Sequence, residues 1–161
     1  MIIDNENFKS FISGLTTGEG SFFISLHKIK NSDKKQLRAV FCILMNEKEK
    51  QLLEDIKDFF KCGELVYRKQ YRNSKPCYMY NVRKIKDLWE IIIPFFDEYR
   101  LRGTKLVNYL IWKECIERIY DGEHNTKEGY RTILLLRENL NRDSQHRRIK
   151  QEKLENDIRQ K

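Results

Sequence analysis

The spacing of hydrophobic and polar positions along the 161-residue chain predicts a helix followed by two paired strands. Apolar residues recur at helical spacing from Asn5 to Gly18, and they alternate with polar residues from Ser21 to Lys30 and from Gln36 to Met45. The polar run Asn31–Lys35 between the two alternating segments is typical of a turn. The first part of the chain is therefore predicted to fold as helix, strand, strand.

The rest of the chain predicts the same order again, with further helices. In sequence order, the predicted elements are a helix Glu47–Lys61 ended by Gly63, a hairpin of strands Glu64–Arg72 and Cys77–Arg83, a helix Lys84–Ile93 limited by Pro94, a helix Thr104–Tyr120, and a helix that Thr126 caps and that runs to Leu140.

The predicted order α-β-β-α-β-β-α indicates an α+β fold. We expect a twisted antiparallel four-stranded sheet with its helices on one face and its other face open. One domain is predicted over residues 1–140. The remaining residues, 141–161, hold 7 basic and 4 acidic residues, with Ile149, Leu154 and Ile158 at helical spacing, and are predicted to form a basic, partly helical tail.

The first predicted helix has two different faces. Its bulky apolar stripe consists of Phe8, Phe11, Ile12 and Leu15. A neighbouring stripe of small side chains consists of Ser10, Ser13, Gly14, Thr17 and Gly18. The bulky stripe is expected to face the core, and the small one would let a second helix approach closely. Two glycines destabilise a helix by roughly 2 kcal/mol relative to alanine, so a compensating contact is expected.

The charge of the chain favours a polyanionic partner. Its 32 basic and 24 acidic residues give a net charge of +8, and nucleic acid is the usual partner of such a protein. The open sheet face is predicted to carry side chains that can contact DNA: Ser25, His27, Arg38, Arg68, Gln70, Arg72, Asn81 and Arg83. An antiparallel ribbon can enter the major groove, where arginine and glutamine read base edges. The same pattern also fits an ordinary solvated sheet face.

Several other classes of protein are disfavoured by the sequence. The four cysteines Cys42, Cys62, Cys77 and Cys115 lack zinc-site spacing, and nucleotide-binding glycine motifs are absent. The apolar run Ile91–Phe96 is too short to cross a membrane, and no signal peptide is recognised at the start of the sequence. We therefore expect no membrane association and no secretion.

The segment Phe11–Phe22, FISGLTTGEGSF, resembles the signature of LAGLIDADG homing endonucleases in its G-x-x-x-G-E-G-S-F form. Later blocks in the same order extend the resemblance over most of the chain: Asn46–Glu49, Ile92–Phe96, Leu101–Lys105 with Tyr109 and Trp112 after it, and Gly122–Gly129.

This resemblance implies a site-specific homing endonuclease that makes a metal-dependent, staggered double-strand break in a long, pseudo-palindromic DNA target. Glu19 would bind the metal, Mg²⁺ or another divalent cation such as Mn²⁺, together with the backbone carbonyl of Gly18. Lys105 and Arg102 match the basic position that the family keeps near the scissile phosphate. Lys105 can equally be read as a surface lysine at a helix start.

Two residues depart from the family pattern. Met45 stands where relatives often have glutamine, and methionine cannot orient a water, so either Asn46 substitutes or activity is reduced. Thr17 replaces the first acidic residue of the signature.

The chain carries a single signature, which in this family implies a homodimer with the stripe of small side chains as the dimer seam. The alternatives are an RNA maturase that binds intron RNA, a catalytically degenerate DNA-binding protein, and a transcription regulator of the same fold. The composition is rich in Lys, Ile and Asn, which favours an AT-rich coding genome such as that of a mitochondrion or chloroplast. A bacterial or phage cytoplasm is the other expected location.

Overall fold

The computed structural model describes residues 5–31, 35–70 and 75–140. Their elements are, in order, α1 Asn5–Glu19, β1 Gly20–Lys28, β2 Lys35–Asn46, a 3₁₀ turn Glu47–Glu49, α2 Lys50–Phe60, β3 Glu64–Arg68, β4 Cys77–Val82, α3 Ile85–Asp87, a π-helical turn Leu88–Ile92, α4 Ile93–Glu98, α5 Gly103–Tyr120, a 3₁₀ turn Glu123–Asn125 and α6 Lys127–Asn139. The predicted α+β order is confirmed.

The four strands form one antiparallel sheet in the order β1-β2-β4-β3. Phe22 of β1 is level with Phe41 of β2, which is level with Val82 of β4. These three side chains point to the same face, because paired residues in antiparallel strands do so, and all three are buried. The helices cover this face, and the other face of the sheet remains open.

An aromatic cluster joins the sheet to the helices. The Phe22 ring lies 5.2 Å from Phe41, 5.7 Å from Phe96, 5.5 Å from Tyr109 and 4.9 Å from Trp112, measured between ring centres. Such pairs contribute about 0.5–1.5 kcal/mol each beyond the burial of their area. Because Phe22 follows Glu19 by three residues, this packing fixes the start of β1 relative to α5.

The bulky stripe of α1 is only partly buried, which corrects the prediction. Ile12 is fully buried, but Phe11 is 45% exposed and stacks on Phe8 with ring centres 6.1 Å apart. Consecutive helical residues differ by about 100° in direction, and α1 is oriented so that Ile12 and Ser13 are buried, which leaves Phe11 toward solvent. Thr16, one turn after Ile12, is fully buried in place of Phe11.

Two predicted helix ends were wrong. Pro94 does not limit the helix before it, because a π-helical turn Leu88–Ile92 leads directly into α4. A wider turn relieves the clash that a proline ring makes with the preceding turn. Lys61, with φ +53°, caps α2 rather than Gly63, and its N–H donates to the Lys57 carbonyl at 2.8 Å.

Gly63 serves the following strand instead. Its φ is +79°, and a Cβ there would lie 2.7 Å from the Asn81 carbonyl oxygen, so only glycine permits this approach of the chain to β4. The strand that follows, β3, ends at Arg68, four residues earlier than predicted. Gln70 therefore lies outside the sheet, while Arg72 and the predicted tail 141–161 lie outside the described residues.

Among the described residues, no helix combines the length and the apolar character that crossing a membrane requires.

Candidate active site and nucleic-acid interface

Glu19 is the last residue of α1, and the chain enters β1 directly at Gly20. Gly20 is buried, and a Cβ on it would lie 2.5 Å from Cγ2 of Thr16. A side chain at this position would therefore force the helix and strand apart. The Glu19 side chain is exposed at the carboxyl end of the helix, where the helix dipole disfavours an anion. A nearby cation would offset this unfavourable interaction.

Lys105 supplies a cation at this junction. It lies in the first turn of α5, and its ammonium group donates a hydrogen bond to the Gly20 carbonyl oxygen. The half-buried position lowers the pKa of Lys105, whereas the charge of Glu19 opposes that shift. The structure therefore brings Glu19 and Lys105, 86 positions apart in sequence, within electrostatic reach of each other.

The junction offers oxygen atoms to a metal ion, but few of them. Glu19 contributes one carboxylate, and the last carbonyls of α1, including that of Gly18, have no acceptor role within the helix. Across the described ranges, no three His, Cys, Asp or Glu side chains lie close enough together to hold a metal. Oxygen donors fit a hard divalent ion, and one chain provides only part of its ligand shell.

The structure does not bring Asn46 to this junction. Gly20 is level with Ile43, so Asn46 lies three residues further along β2, roughly 10 Å away along the strand. Its side-chain oxygen accepts the Lys48 N–H at 3.0 Å and caps the 3₁₀ turn. Arg102 is exposed immediately before α5, where it lines a groove beside α1.

The stripe of small side chains on α1 is accessible, with one exception. Gly14 and Gly18 are exposed, and a Cβ on either would meet no atom within 4 Å. Ser10 is also exposed, and the Thr17 hydroxyl donates to the Ser13 carbonyl at 2.9 Å. A groove of about 360 Å³ runs alongside. It is lined by four residues of the stripe, Ser10, Ser13, Gly14 and Thr17, and by Tyr99, Arg100 and Arg102.

Ser13 is the exception among the residues of the predicted seam. It is only 7% exposed, and its hydroxyl lies 2.9 Å from the Tyr99 carbonyl oxygen and 3.1 Å from that of Arg100. Ser13 therefore holds the α4–α5 connection against α1 within the chain. Sequence reasoning missed this contact because its partners lie 86 and 87 positions away and no local pattern marks them.

The open sheet face carries most of the predicted DNA-contacting residues. Ser25 is level with Arg38, and the Ser25 hydroxyl lies 3.0 Å from Nε2 of His27. Arg38 and Arg68 are exposed on this face. Arg83 is exposed as well and pairs with the Glu64 carboxylate, which partly neutralises it. The face therefore has an exposed basic rim.

Asn81 departs from the prediction, because it is only 2% exposed. It is level with Cys42, which is 7% exposed, so the centre of the open face is buried at these two side chains. Burial raises the pKa of the Cys42 thiol, while the charges of Arg68 and Lys105 lower it. Strand alternation identified the face correctly, but it does not register the packing of neighbouring side chains that buries its centre.

Comparison with known proteins places the chain in a family. The sequence profile described as LAGLIDADG endonuclease matches residues 12–116. The chain belongs to the LAGLIDADG endonuclease family. Among curated LAGLIDADG relatives, it is similar to the probable intron-encoded endonuclease 2 of Neurospora crassa, with 36% identity over 131 residues that cover 81% of this chain and 27% of the relative.

Solved LAGLIDADG structures share the fold. The I-LtrWI LAGLIDADG homing endonuclease bound to target DNA matches with a TM-score of 0.74 and 32% identity, over 83% of this chain and 44% of that one. I-SmaMI bound to an uncleaved DNA target in the presence of calcium ions matches with a TM-score of 0.74 and 31% identity, over 83% and 45%. The chain thus spans about a quarter of the curated relative's length and under half of each solved chain.

Proposed function

We propose that the chain is a divalent-metal-dependent DNA endonuclease that makes a staggered double-strand break in a long, pseudo-palindromic target, as in intron homing. The observation that carries this proposal is the α1–β1 junction. There, Glu19 and Lys105 lie between an accessible stripe of small side chains and a sheet face with a basic rim. Family membership supports the same activity.

In this proposal Glu19 and the Gly18 carbonyl hold Mg²⁺ or Mn²⁺. When bound, such an ion polarises a phosphate oxygen and lowers the pKa of a water molecule. Lys105 lies close enough to Glu19 to stabilise the negative charge that develops on the phosphate. Arg102 extends the positive charge along the groove beside α1. Asn46 orients water only if its cap contact with Lys48 is released.

We infer that the functional form pairs two copies of this chain through α1. Ser10, Gly14, Thr17 and Gly18 leave room for a second helix to approach, and Ser13 supports this surface from beneath. Two such helices bring two Glu19 carboxylates together, an arrangement that is unfavourable without cations and so favours metal binding. The length of the solved relatives, about twice that of the matched region, is consistent with a paired architecture.

The proposed partner is double-stranded DNA, contacted by the open sheet face. Ser25, His27, Arg38 and Arg68 are accessible there. A homodimer carries a net charge of +16, twice +8, so its binding should weaken steeply with salt. Gln70, which follows β3, remains a proposed contact, and so does Arg72. Asn81 is proposed to act from the buried centre of the face. An organelle is the proposed location, since relatives include a mitochondrial protein and several intron-encoded ones.

Plasmid cleavage by a Glu19→Gln variant tests the proposal. The wild-type chain and the variant are compared on a library of intron insertion sites with Mg²⁺. We expect Glu19→Gln to reduce the cleavage rate about a thousandfold while DNA binding is retained, because the substitution removes a metal-binding charge and little volume. Glu117→Gln is the matched control, since it neutralises an exposed carboxylate about 18 Å along α5 from Lys105.

Cleavage that survives Glu19→Gln would contradict the proposed mechanism. Specific binding of intron RNA without nicking of any DNA would instead favour the maturase alternative.

A further inference from the structure

Three apolar side chains lie in a row across the open face of the sheet. Leu44 of β2 is level with Met79 of β4, and Met79 is level with Val66 of β3. Paired residues of antiparallel strands point to the same face. Leu44 follows Cys42 by two residues, and because side chains alternate along a strand, both lie on the open face. We call Leu44, Met79 and Val66 the apolar row.

The apolar row is accessible on this face. Leu44 is 41% exposed, and Met79 and Val66 are half-buried. The residues next to them on the three strands turn to the opposite face and pack on or in the core: Ile43, Tyr80 and Leu65. A single exposed apolar side chain is ordinary, but a level row across three strands makes a continuous apolar surface, which is typical of binding sites.

Polar side chains lie on both sides of the apolar row. On one side Asn81 is level with Glu64, and on the other Asn46 and Arg68 are both level with Cys77. Successive rows on one face are two residues apart along each strand, roughly 7 Å, which is about two base-pair steps of DNA. The apolar row crosses three strands, or about 10 Å, and so fits within the major groove, which is about 12 Å wide.

Double-stranded DNA offers one apolar group to such a row. Among the four bases, only thymine presents a methyl group in the major groove. Guanine, cytosine and adenine present hydrogen-bond donors and acceptors there, and an apolar side chain that covers these groups removes their water without replacing it. Charge complementarity favours DNA as the occupant of this face, because Arg38 and Arg68 form its exposed basic rim.

We propose that the apolar row selects A·T pairs in the DNA target by contacting thymine 5-methyl groups, with Leu44 as the most exposed contact. The inference rests on the proposed binding of DNA to the open sheet face. Burial of one methyl group favours thymine over uracil by about fourfold in affinity. RNA offers neither this methyl group nor a major groove that side chains can read, so the apolar row also favours DNA over intron RNA.

Replacement of thymine by uracil in a bound duplex tests the proposal. A random-sequence DNA duplex library is selected for binding to the full chain, with Ca²⁺ in place of Mg²⁺. Each thymine of the selected duplex is then replaced in turn by deoxyuridine, which removes only the methyl group. We expect binding to weaken about fourfold at about one to three positions of each half-site and to change less than about 1.5-fold elsewhere. Unchanged affinity at every position would overturn the proposal.

Two exposed apolar residues provide matched protein variants. Leu44 belongs to the apolar row, whereas Val107 is 57% exposed on α5, in the layer of helices behind the sheet. Leu44→Ala should abolish the preference for thymine over uracil at one position or more, and Val107→Ala should leave every preference unchanged. Because both side chains are exposed, thermal unfolding of either variant should change little. If Leu44→Ala keeps the preference at every position, the proposal is wrong.

Cleavage of the same duplexes with Mg²⁺ separates the apolar row from the proposed nuclease activity. A chain that cuts its target but binds the thymine and uracil duplexes equally keeps the nuclease function and contradicts the role of the row. A chain that discriminates between them without cutting supports the row and contradicts the nuclease function. Absence of binding to any duplex would overturn both. If Leu44→Ala weakens self-association and leaves DNA binding unchanged, the row is a contact between copies and the proposal is wrong.

Discussion

Lys105 holds a positive charge at a position where burial disfavours it. The half-buried ammonium group contacts the Gly20 carbonyl, and its pKa lies below the usual 10.5 because desolvation outweighs the attraction of Glu19 and Cys42. A cation that is partly stripped of water interacts more strongly with an incoming anion than a solvated one does. The arrangement is therefore unfavourable for folding and suited to a phosphate.

The first prediction concerns the half-buried charge of Lys105, which is unfavourable for folding but suited to a phosphate. Lys105→Met should lower DNA cleavage about a hundredfold, the magnitude typical for loss of one stabilising charge, without unfolding the protein. Lys113→Met is the control, because Lys113, also on α5, forms a partly exposed ion pair with Asp97 of α4. Single-turnover cleavage measures the loss. Unchanged cleavage would remove Lys105 from the proposed site.

The pH dependence of stability follows from the same shift. Because the folded-state pKa of Lys105 is lowered, the unfolded chain binds more protons between that pKa and 10.5, and stability rises with pH in this window. The wild type should therefore become more stable relative to Lys105→Met as the pH increases from 8 to about 10.5. Paired thermal unfolding curves across that range measure the difference. A constant or decreasing difference would contradict the direction of the shift.

We expect substitution of Ser13 to lower the stability of the fold rather than the rate of DNA cleavage. Its buried hydroxyl is shared between the Tyr99 and Arg100 carbonyls, and Ser13→Ala leaves both oxygens without that donor. The free energy of unfolding should fall by about 1–3 kcal/mol. Ser10→Ala, on the exposed side of the same helix, should change it by less than about 0.5 kcal/mol. Chemical denaturation distinguishes the two, and equal effects would contradict the role given to Ser13.

Elements whose ends are set by local contacts were predicted well. Thr126 was identified as the cap of the last helix, and its hydroxyl oxygen accepts the Gly129 N–H at 3.0 Å. The end of α2 and the predicted helix end at Ile93 were not. A left-handed Lys61 and a π-helical turn before Pro94 depend on how the following segment packs. Glu19 could be named as the candidate metal ligand from its motif alone. Its electrostatic proximity to Lys105 could be expected only through family resemblance.

The cap of α6 allows a direct test at the scale of one element. Thr126→Ala removes the side-chain acceptor and should lower the free energy of unfolding by about 1 kcal/mol. Thr132→Ala is the control, since its hydroxyl donates back to the Glu128 carbonyl within the same helix and its loss should be nearly neutral. Urea denaturation compares the two variants. An effect of Thr132→Ala equal to that of Thr126→Ala would mean that the cap contributes little.

At the scale of the whole molecule, α1 connects three surfaces. Its buried side packs on the core through Ile12 and Thr16, its carboxyl end presents Glu19, and its exposed side carries Gly14 and Gly18. The two exposed glycines weaken the helix, and a Cβ on either would meet no other atom within 4 Å among the described residues. The proposed contact between copies would account for their presence, because small residues let two helix backbones approach closely.

Stability and self-association should therefore change in opposite directions on substitution of Gly14. Gly14→Leu is expected to stabilise the isolated chain by up to about 1 kcal/mol, since it removes a helix glycine at a position where a Cβ has no other atom within 4 Å. The same side chain should obstruct the approach of a second α1 and weaken self-association at least about tenfold. Glu117→Leu introduces leucine at an exposed position of α5 and should leave association unchanged. Sedimentation equilibrium with and without target DNA measures both variants. If Gly14→Leu still associates tightly, the dimer interface does not run through α1. A wild-type chain that stays monomeric even on DNA would rule out the homodimer.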